Sequence, residues 1–421
     1  MTIVEIAKKI EQAGGRLYLV GGALRDKLRG VIPVDEDYCV TGFTVEKFQN
    51  LFPEAKIQGK DFPVFILEGK EIALARKERK VGQGHKAFSF STDETITIQE
   101  DLVRRDITIN SIAQDVLTKE IIDPYGGRKD LEQKVIRKTS SHFAEDPLRA
   151  YRVARLAANL EGFMVESGTL FSMEQLKEEL RTLSKERVFV EFKKALASSK
   201  PSIFFEVLRQ SNILQIHFQE IADLIGKIQP EKYHPEGDSY RHTLIVVDNS
   251  AKTTNDLAIR FSCLAHDLGK GLTPKEILPH HYGHDEKGVE LVAKLGKRIG
   301  IPKTWEKCGK TACKWHMKAG IFEQMTPKKQ VELIENVAKS MLGLEGLQIV
   351  VACDKSREGK DILEKQKEIT FANLGKELLQ NVNGDVIKQK YPELTGKNFK
   401  QKLREERIKW LKDFYKIYNK V

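Results

Sequence analysis

Leu19-Val20-Gly21-Gly22-Ala23-Leu24-Arg25-Asp26, followed after a short gap by Asp35-Glu36-Asp37, decides the reading of the first third of this 421-residue chain. Arg16–Val20 predicts a strand that runs into two glycines, and Ala23–Arg29 predicts the helix that follows. A strand that ends in glycine and opens a helix lets backbone N–H groups approach phosphate oxygens closely. Gly22 lies at that entry, and Arg25, one turn into the helix, could reach the same phosphates. Val34–Val40 predicts a second strand, on which Asp35 and Asp37 project from one face. Two carboxylates so spaced can hold Mg2+ between them, an arrangement that phosphoryl transfer needs. Alone, an Asp-x-Asp is more often an exposed acidic turn, and Gly-Gly after a strand opens many ordinary helices. Their succession is the signal.

Outward from this stretch, Pro63–Glu68 and Glu71–Arg76 predict a hairpin about Gly69-Lys70. Lys80–Glu100 is rich in Gly, Ser and Thr and predicts a mobile loop. This half reads as α/β with a small mixed sheet. From about residue 143 long amphipathic helices take over, and His234-Pro235-Glu236-Gly237-Asp238 marks a turn-rich break. The expected organisation is a head over 1–140, a helical neck over 141–230, a further helical domain over 231–355 and a helical tail over 356–421.

Composition narrows the classes. Apolar residues make up 40% and charged residues 31%, enough for sizeable cores in a soluble chain. The net charge is +10, and residues 396–421 supply +6 of it through nine basic and three acidic side chains. Such a balance favours an anionic partner, nucleic acid first, over a merely solvated lysine-rich surface. No run of 18 apolar residues exists to span a membrane, and Met1–Ile10 predicts an amphipathic helix rather than a signal peptide. Cys39, Cys263, Cys308, Cys313 and Cys353 are odd in number and mostly in apolar surroundings, which argues against a disulfide scaffold and for a cytoplasmic protein. Cys308, Cys313 and His316 lack a CxxC knuckle and an evident fourth ligand, so zinc is not expected there.

Gly21-Gly22-Ala23-Leu24-Arg25-Asp26 with Asp35-x-Asp37 resembles the polymerase-β-type, class II nucleotidyltransferases of the tRNA CCA-adding and bacterial poly(A) polymerase group. Arg104-Arg105-Asp106-Ile107-Thr108-Ile109-Asn110 is similar to that family's RRD motif, and Glu145-Asp146-Pro147-Leu148-Arg149 to its EDxxR motif. With Asp123-Pro124-Tyr125-Gly126-Gly127 these matches cover residues 16–155 in the family's order. Arg105 could bind triphosphate or ribose oxygens, or simply pair with Asp101 or Asp106. Glu145 and Asp146 stand four and three residues before Arg149, the spacing of ordinary helix salt bridges. The resemblance implies more: Asp146 and Arg149 would present an acceptor and a donor to the incoming base, with Glu145 holding Arg149. Cytosine and adenine both offer an amino group beside a ring-nitrogen acceptor, whereas uracil and guanine do not. Arg152 and Arg155 extend the same region towards the nucleotide phosphates.

Six of the ten histidines fall between 242 and 316, and His266-Asp267 closes a predicted helix near Gly269. An HD dipeptide alone is poor evidence, but its surroundings resemble the HD phosphohydrolase superfamily, an all-helical metal-dependent fold. The resemblance implies His242 as first ligand, His266 and Asp267 next, and Asp354 last. Imidazole with carboxylate suits a transition metal better than Mg2+. His281, His284 and His316 would line the pocket or bind a second metal. The alternative is a degenerate helical domain whose histidines merely pack.

A CCA-adding head followed by an HD domain resembles the longer, multifunctional bacterial form of this family. That implies addition of C, C and A to tRNA from CTP and ATP, with Ni2+-favoured phosphatase, 2′,3′-cyclic phosphodiesterase and 2′-nucleotidase activities at the HD site. A monomer or homodimer is expected. Rival readings are a poly(A) polymerase, an A-adding tRNA enzyme, and an HD phosphohydrolase with a nucleotide-sensing head. The tail helix, with Phe399, Trp410, Phe414, Tyr415 and Tyr418, suits either an RNA-facing element or a packed helix face.

Overall fold

The structure, a computed structural model, describes residues 1–33, 35–59, 63–80, 88–91, 93–232, 234–356 and 370–418. The chain divides into two compact units: Met1–Val188 with Glu206–Ile213, and Phe189–Phe205 with Leu214–Val421. Among the described residues no helix is long and apolar enough to cross a membrane.

The first unit opens with α1 (Ile3–Gln12), started by a capping box in which the Thr2 side chain accepts from Glu5 N and the Glu5 carboxylate accepts from Thr2 N. Next come β1 (Arg16–Val20), α2 (Gly21–Leu28), β2 (Asp37–Thr41), α3 (Val45–Leu51), β3 (Lys56–Gln58), β4 (Val64–Leu67) and β5 (Lys70–Leu74). β6 (Lys77–Lys80) and β7 (Phe88–Ser91) form a separate two-stranded ribbon, and α4 (Ile98–Val103), β8 (Ala113–Asp115) and β9 (Ile121–Ile122) complete the sheet region. Seven strands pair in the order β3-β4-β5-β2-β1-β8-β9, antiparallel throughout except for β2 beside β5. This is the mixed sheet expected.

Strand alternation sorts β1 between two cores. Leu17 and Leu19 join Ile6, Ile10, Leu24, Val40 and Phe65 on one face, while Tyr18 and Val20 join Cys39, Ile98, Leu102 and Ala113 on the other. Burial on both faces is why this strand reads as an unbroken apolar run.

Two expectations change. β2 begins at Asp37, which pairs with Val20, the last residue of β1. Gly21 turns the chain at φ +68° into α2, so nothing remains of β1 for earlier residues to pair with. Asp35 therefore sits in a bend ahead of the strand, not on its face, and Val34 lies outside the described residues. The Lys80–Glu100 segment holds the second strand of the ribbon and the start of α4, capped by Thr97 and Glu100. Residues 81–87 and 92 of that predicted loop are outside the described set.

The remainder is helical apart from one short parallel pair, β10 (Val135–Ile136) beside β11 (Met164–Val165). α5 (Gly127–Glu132) follows a Gly-Gly turn in which Asp123 accepts from Gly127 N at 2.7 Å and Arg128 N at 2.9 Å. α6 (Leu148–Asn159) buries nine of its twelve residues, Arg149 among them. α7 (Ser167–Glu174), α8 (Lys177–Leu180), α9 (Lys185–Leu196), α10 (Ser202–Gln210), α11 (Leu214–His217) and α12 (Gln219–Ala222) lead to α13 (Ser239–Thr253), whose N-cap is Asp238. α14 (Leu257–Ala265), α15 (His284–Ile299), α16 (Lys303–Gly320), α17 (Pro327–Ala338) and α18 (Gly343–Lys355) form the body of the second unit. α19 (Phe371–Asn381), α20 (Gly384–Lys390) and α21 (Gly396–Tyr418) follow.

Two features hold this second body. Arg260 on α14 is 3% exposed and spends all five guanidinium hydrogens. Nε donates to Thr254 O, Nη1 to Leu196 O and Ser198 O, and Nη2 to Ala251 O and Asn255 Oδ1, at 2.7–3.3 Å. It thereby satisfies orphan carbonyls at the C-terminal ends of α9 and α13. The tail helix α21 packs Leu411, Trp410, Leu403 and Tyr415 against the core of this unit, and Gln330 donates to the Tyr415 hydroxyl at 2.9 Å. Much of the aromatic stripe is thus a packed face, with Phe414 stacked on Trp410 at 5.4 Å.

Gly269, in the turn after α14, meets the first turn of α15 so closely that a Cβ there would overlap the His284 carbonyl oxygen and lie 2.7 Å from Gly288 N. Gly269→Ala should destabilise the chain by about 1–3 kcal/mol, read as a lower midpoint in thermal or urea unfolding.

Candidate active sites

In the first unit, three elements converge at Gly21. A Cβ on Gly21 would stand 3.1 Å from Arg105 Nη1 and 3.8 Å from Asp37 Oδ2, so the glycine leaves room for cation and carboxylate to meet beside the start of α2. The N-cap of α2 is Val20, which offers no side-chain cap, so no capping side chain occupies the N–H groups of the first turn. Arg25 lies beside Gly22 but folds inward: it pairs with Asp26 at 2.9 Å and donates to Asn110 Oδ1 at 2.8 Å.

Arg105 is aimed by Asp101. That carboxylate is buried, with Arg105 Nε and Nη2 on Oδ2 at 3.3 and 3.0 Å and Arg104 on Oδ1. Burial alone would raise the Asp101 pKa; Arg104 and Arg105 outweigh it and hold the group at about 2. With two of its nitrogens committed there, Arg105 turns Nη1 towards Gly21 and Asp37. Of the alternatives open for Arg105, the pairing with Asp101 is the one observed, and it leaves Nη1 facing Gly21. Desolvation raises Asp37 above the usual carboxylate range, Arg105 opposes this, and the like charge of Asp35 adds to it. Two mutually repelling carboxylates at an exposed edge are a donor set that fits a divalent cation.

Asp106 is the counterpart below. It accepts from Arg152 Nε at 2.9 Å, Asn110 Nδ2 at 3.1 Å and Ile107 N at 2.9 Å, and although burial opposes it, Arg152 and Asn110 depress its pKa. Arg152 is thus held by a carboxylate while much of its side chain stays exposed. Arg155 lies one turn further along α6 and is half-buried.

At the start of α6, Asp146 accepts from Leu148 N at 3.1 Å and from Arg187 Nη2 at 3.1 and 2.8 Å. Glu145 binds His142 Nδ1 at 2.8 Å, and Arg149 Nη1 donates to the His142 carbonyl, so His142 links the two residues expected to pair. Glu145 Oε2 and Arg187 Nη1 are buried with no hydrogen-bond partner. Neither Arg187 nor His142 lies in one of the sequence motifs. Arg187 is 41 residues from Asp146, and nothing in Lys185-Glu186-Arg187 signals the pairing.

In the second unit, His242 on α13, His266 and Asp267 after α14, His284 on α15, His316 on α16 and Asp354 on α18 come together. Asp267 is the centre. Around Oδ2 stand His266 Nε2 at 3.2 Å and His242 Nε2 at 3.6 Å, and Asp354 Oδ1 lies 3.0 Å from His242 Nε2 and 3.7 Å from His266 Nε2. Around Oδ1 stand His284 Nε2 and His316 Nε2, each at 3.3 Å. Lys270 Nζ reaches Oδ2 at 2.6 Å and Gln229 Oε1 at 2.6 Å.

The four imidazoles share one device. His242 Nδ1 is taken by Glu236 at 2.7 Å, His266 Nδ1 by Cys263 O at 2.7 Å, His284 Nδ1 by His281 O at 2.7 Å and His316 Nδ1 by Cys313 O at 2.9 Å. Each ring is oriented through one nitrogen and turns Nε2 to the centre, as metal ligands usually are. His266 Nε2 and Asp267 Oδ1 are buried without a well-formed hydrogen bond, a donor set that fits a cation. Asp267 with His242 and His266 makes one ligand set, and Asp267 with His284 and His316 a second. Burial opposes protonation of His266, but Asp267 and Asp354 outweigh it and push the ring up to about 10; Asp267 is correspondingly depressed.

His281 is different. Its Nδ1 meets Thr273 Oγ1 at 2.7 Å and its Nε2 donates to Ile228 O at 3.0 Å, and burial with the nearby Lys270 lowers its pKa to about 4. It braces the loop and offers no ligand atom. The cysteines near His316 do not form a zinc site: Cys313 Sγ donates to Ala265 O at 3.0 Å, and His316 faces Asp267. A cavity of about 1040 Å³ opens on the cluster, with His284, His316, Asp354, Lys270 and Tyr282 in its wall.

Comparison with known proteins assigns the class first. Residues 17–137 match the poly A polymerase head domain, 162–225 the "probable RNA and SrmB-binding site of polymerase A", and 239–339 the HD domain. The multifunctional CCA protein of Acinetobacter baumannii is 38% identical over 405 residues, 95% of this chain and 97% of the relative. That of Shewanella denitrificans is 47% identical over 296 residues, 69% of this chain and 71% of the relative. This chain belongs to the multifunctional CCA protein family. Among solved structures, an apo CCA-adding enzyme shares the fold at TM-score 0.63 and 20% identity, covering 96% of this chain and 88% of its own. The Thermotoga maritima CCA-adding enzyme, solved with tRNA, aligns at TM-score 0.61 and 19% identity over 97% of this chain and 90% of its own.

The Asp101 cluster yields a pH test. A carboxylate depressed to about 2 when folded, against roughly 3.9 unfolded, contributes stability that is present above pH 4 and lost as pH falls towards 2. Asp101→Asn should remove about 2 kcal/mol of that slope. Urea unfolding of both proteins from pH 6 to 2.5 checks it: the gap between them should close as the pH falls.

Proposed function

We propose that this chain is a CCA-adding tRNA nucleotidyltransferase that carries a second, hydrolytic site in its HD domain. The head reading is carried by the convergence of Asp37, Gly21 and Arg105 at an uncapped helix start, supported by whole-length kinship with the multifunctional CCA proteins. Mg2+ between Asp35 and Asp37 would neutralise triphosphate charge and favour attack by the tRNA 3′ hydroxyl. Gly22 leaves the α2 amides open to the nucleotide triphosphate, and Arg105, aimed by Asp101, adds its charge beside them. Arg25, Arg152 and Arg155 set the basic surroundings, two of them already oriented by Asp26 and Asp106.

Base choice falls to Asp146 and Arg149. A carboxylate acceptor beside a guanidinium donor matches cytosine and adenine, and mismatches uracil and guanine by leaving donor facing donor or acceptor facing acceptor. Arg187 orients Asp146, and Glu145 acts on Arg149 through His142. CTP and ATP are the substrates and tRNA the partner, in the cytoplasm. Solved relatives bound to ATP, CTP and tRNA support this assignment.

For the second site, His242, His266, Asp267 and Asp354 would hold a transition metal, Ni2+ by family resemblance, which would supply polarisation of a phosphoryl oxygen. Four imidazoles fixed through Nδ1 around one buried carboxylate support a metal-dependent phosphohydrolase acting on 2′,3′-cyclic and 2′-phosphates. Lys270, held on Asp267, adds a positive charge where a phosphate would enter.

Three expectations test these assignments. Asp35→Ala or Asp37→Ala should cut addition of both C and A by at least 10³-fold, assayed on tRNAs truncated before each of the last three positions; near-normal rates in either would sink the metal assignment. In the same preparations, His266→Ala should remove hydrolysis of 2′,3′-cyclic nucleotides and lower Ni2+ affinity in equilibrium dialysis, with nucleotide addition retained. Asp146→Ala should relax rejection of UTP and GTP by about ten- to a hundredfold, matching a lost buried hydrogen bond of roughly 1–3 kcal/mol.

A further inference from the structure

The cavity over the His–Asp cluster is far larger than a phosphate needs. At about 1040 Å³ it matches the upper end of pockets for whole organic ligands, so its occupant has a substantial part beyond the phosphoryl group. One wall carries Tyr282, 70% exposed, with His280 stacked against it at 5.5 Å and 21°. This pair is held in place. His281, between them in sequence, is pinned through both ring nitrogens to Thr273 and Ile228, and His284, just beyond, binds His281 O and faces Asp267. An exposed aromatic ring on a loop braced at both ends, beside a metal-ligand histidine, is a surface that a flat base can stack on.

We propose that Tyr282, backed by His280, is the base-stacking platform of the hydrolytic site and makes it selective for nucleoside phosphates over base-free phosphate esters. The proposal rests on the hydrolytic reading of this site. Tyr282 acts on binding and not on the reacting atoms, so its loss raises KM and leaves kcat in place.

The test uses the full-length chain with Ni2+ and two substrates: 2′,3′-cyclic AMP and the base-free ribose 2,3-cyclic phosphate. For Tyr282→Ala, KM for the nucleotide should rise about five- to tenfold while KM for the base-free compound stays put; Tyr282→Phe should behave as wild type on both. An equal change on both substrates, or none on either, overturns the platform. If the wild type turns over neither compound, the hydrolytic reading fails by itself. The platform is then judged by equilibrium dialysis of adenosine 2′-phosphate: a Kd about fivefold weaker in Tyr282→Ala supports it, and an unchanged Kd overturns it.

Discussion

A carboxylate taken out of water costs several kcal/mol unless cations or donors meet it, and three such groups, Asp101, Asp106 and Asp267, organise this protein. Asp101 gathers Arg104 and Arg105, and in doing so turns Arg105 towards Asp37. Asp106 gathers Asn110 and Arg152, tying α6 to the turn before β8. Asp267 gathers Lys270 and four imidazoles contributed by separate helices or their ends. In each case the need to compensate a buried charge fixes side chains to which the proposed chemistry assigns a part.

The two sites differ in how far that compensation goes. At Asp101 and Asp106 the protein supplies permanent guanidinium charge and the carboxylates are fully answered. At Asp267 one oxygen has no well-formed hydrogen bond. The head carboxylates Asp35 and Asp37 are left close enough to repel. The unanswered groups are those that suit a cation; the answered ones position them.

Much of this was legible in the sequence because the motif residues are local: Gly21-Gly22, Asp35-x-Asp37, the RRD and EDxxR segments and His266-Asp267 each fit within a few positions. β1, α2, the β4–β5 hairpin and the helical second half follow from apolar periodicity. What escaped depends on long-range pairing. The start of β2 at Asp37 is set by where β1 ends, so no property of Val34-Asp35 could place it. β3 is an edge strand with all three residues exposed and shows no periodic signal. Arg187 answers Asp146 across 41 residues, a distance at which spacing carries no information. His281 and His284 are near neighbours in sequence with opposite roles, and only the partners of their ring nitrogens tell them apart.

Arg260 sets a limit on how this protein can be taken apart. Two of its five hydrogen bonds go to Leu196 and Ser198, in a stretch that precedes the HD match by some forty residues yet belongs to the second unit. The chain passes from one unit to the other after Val188, Phe205 and Ile213. No single cut, then, yields two intact halves. A fragment begun at residue 231, where the turn-rich break invites it, would lose two of the five hydrogen bonds that Arg260 makes and would strip Phe218 and its aromatic neighbours from the core. Gene fusions, domain swaps and truncations that treat the HD domain as a detachable cassette would inherit that wound.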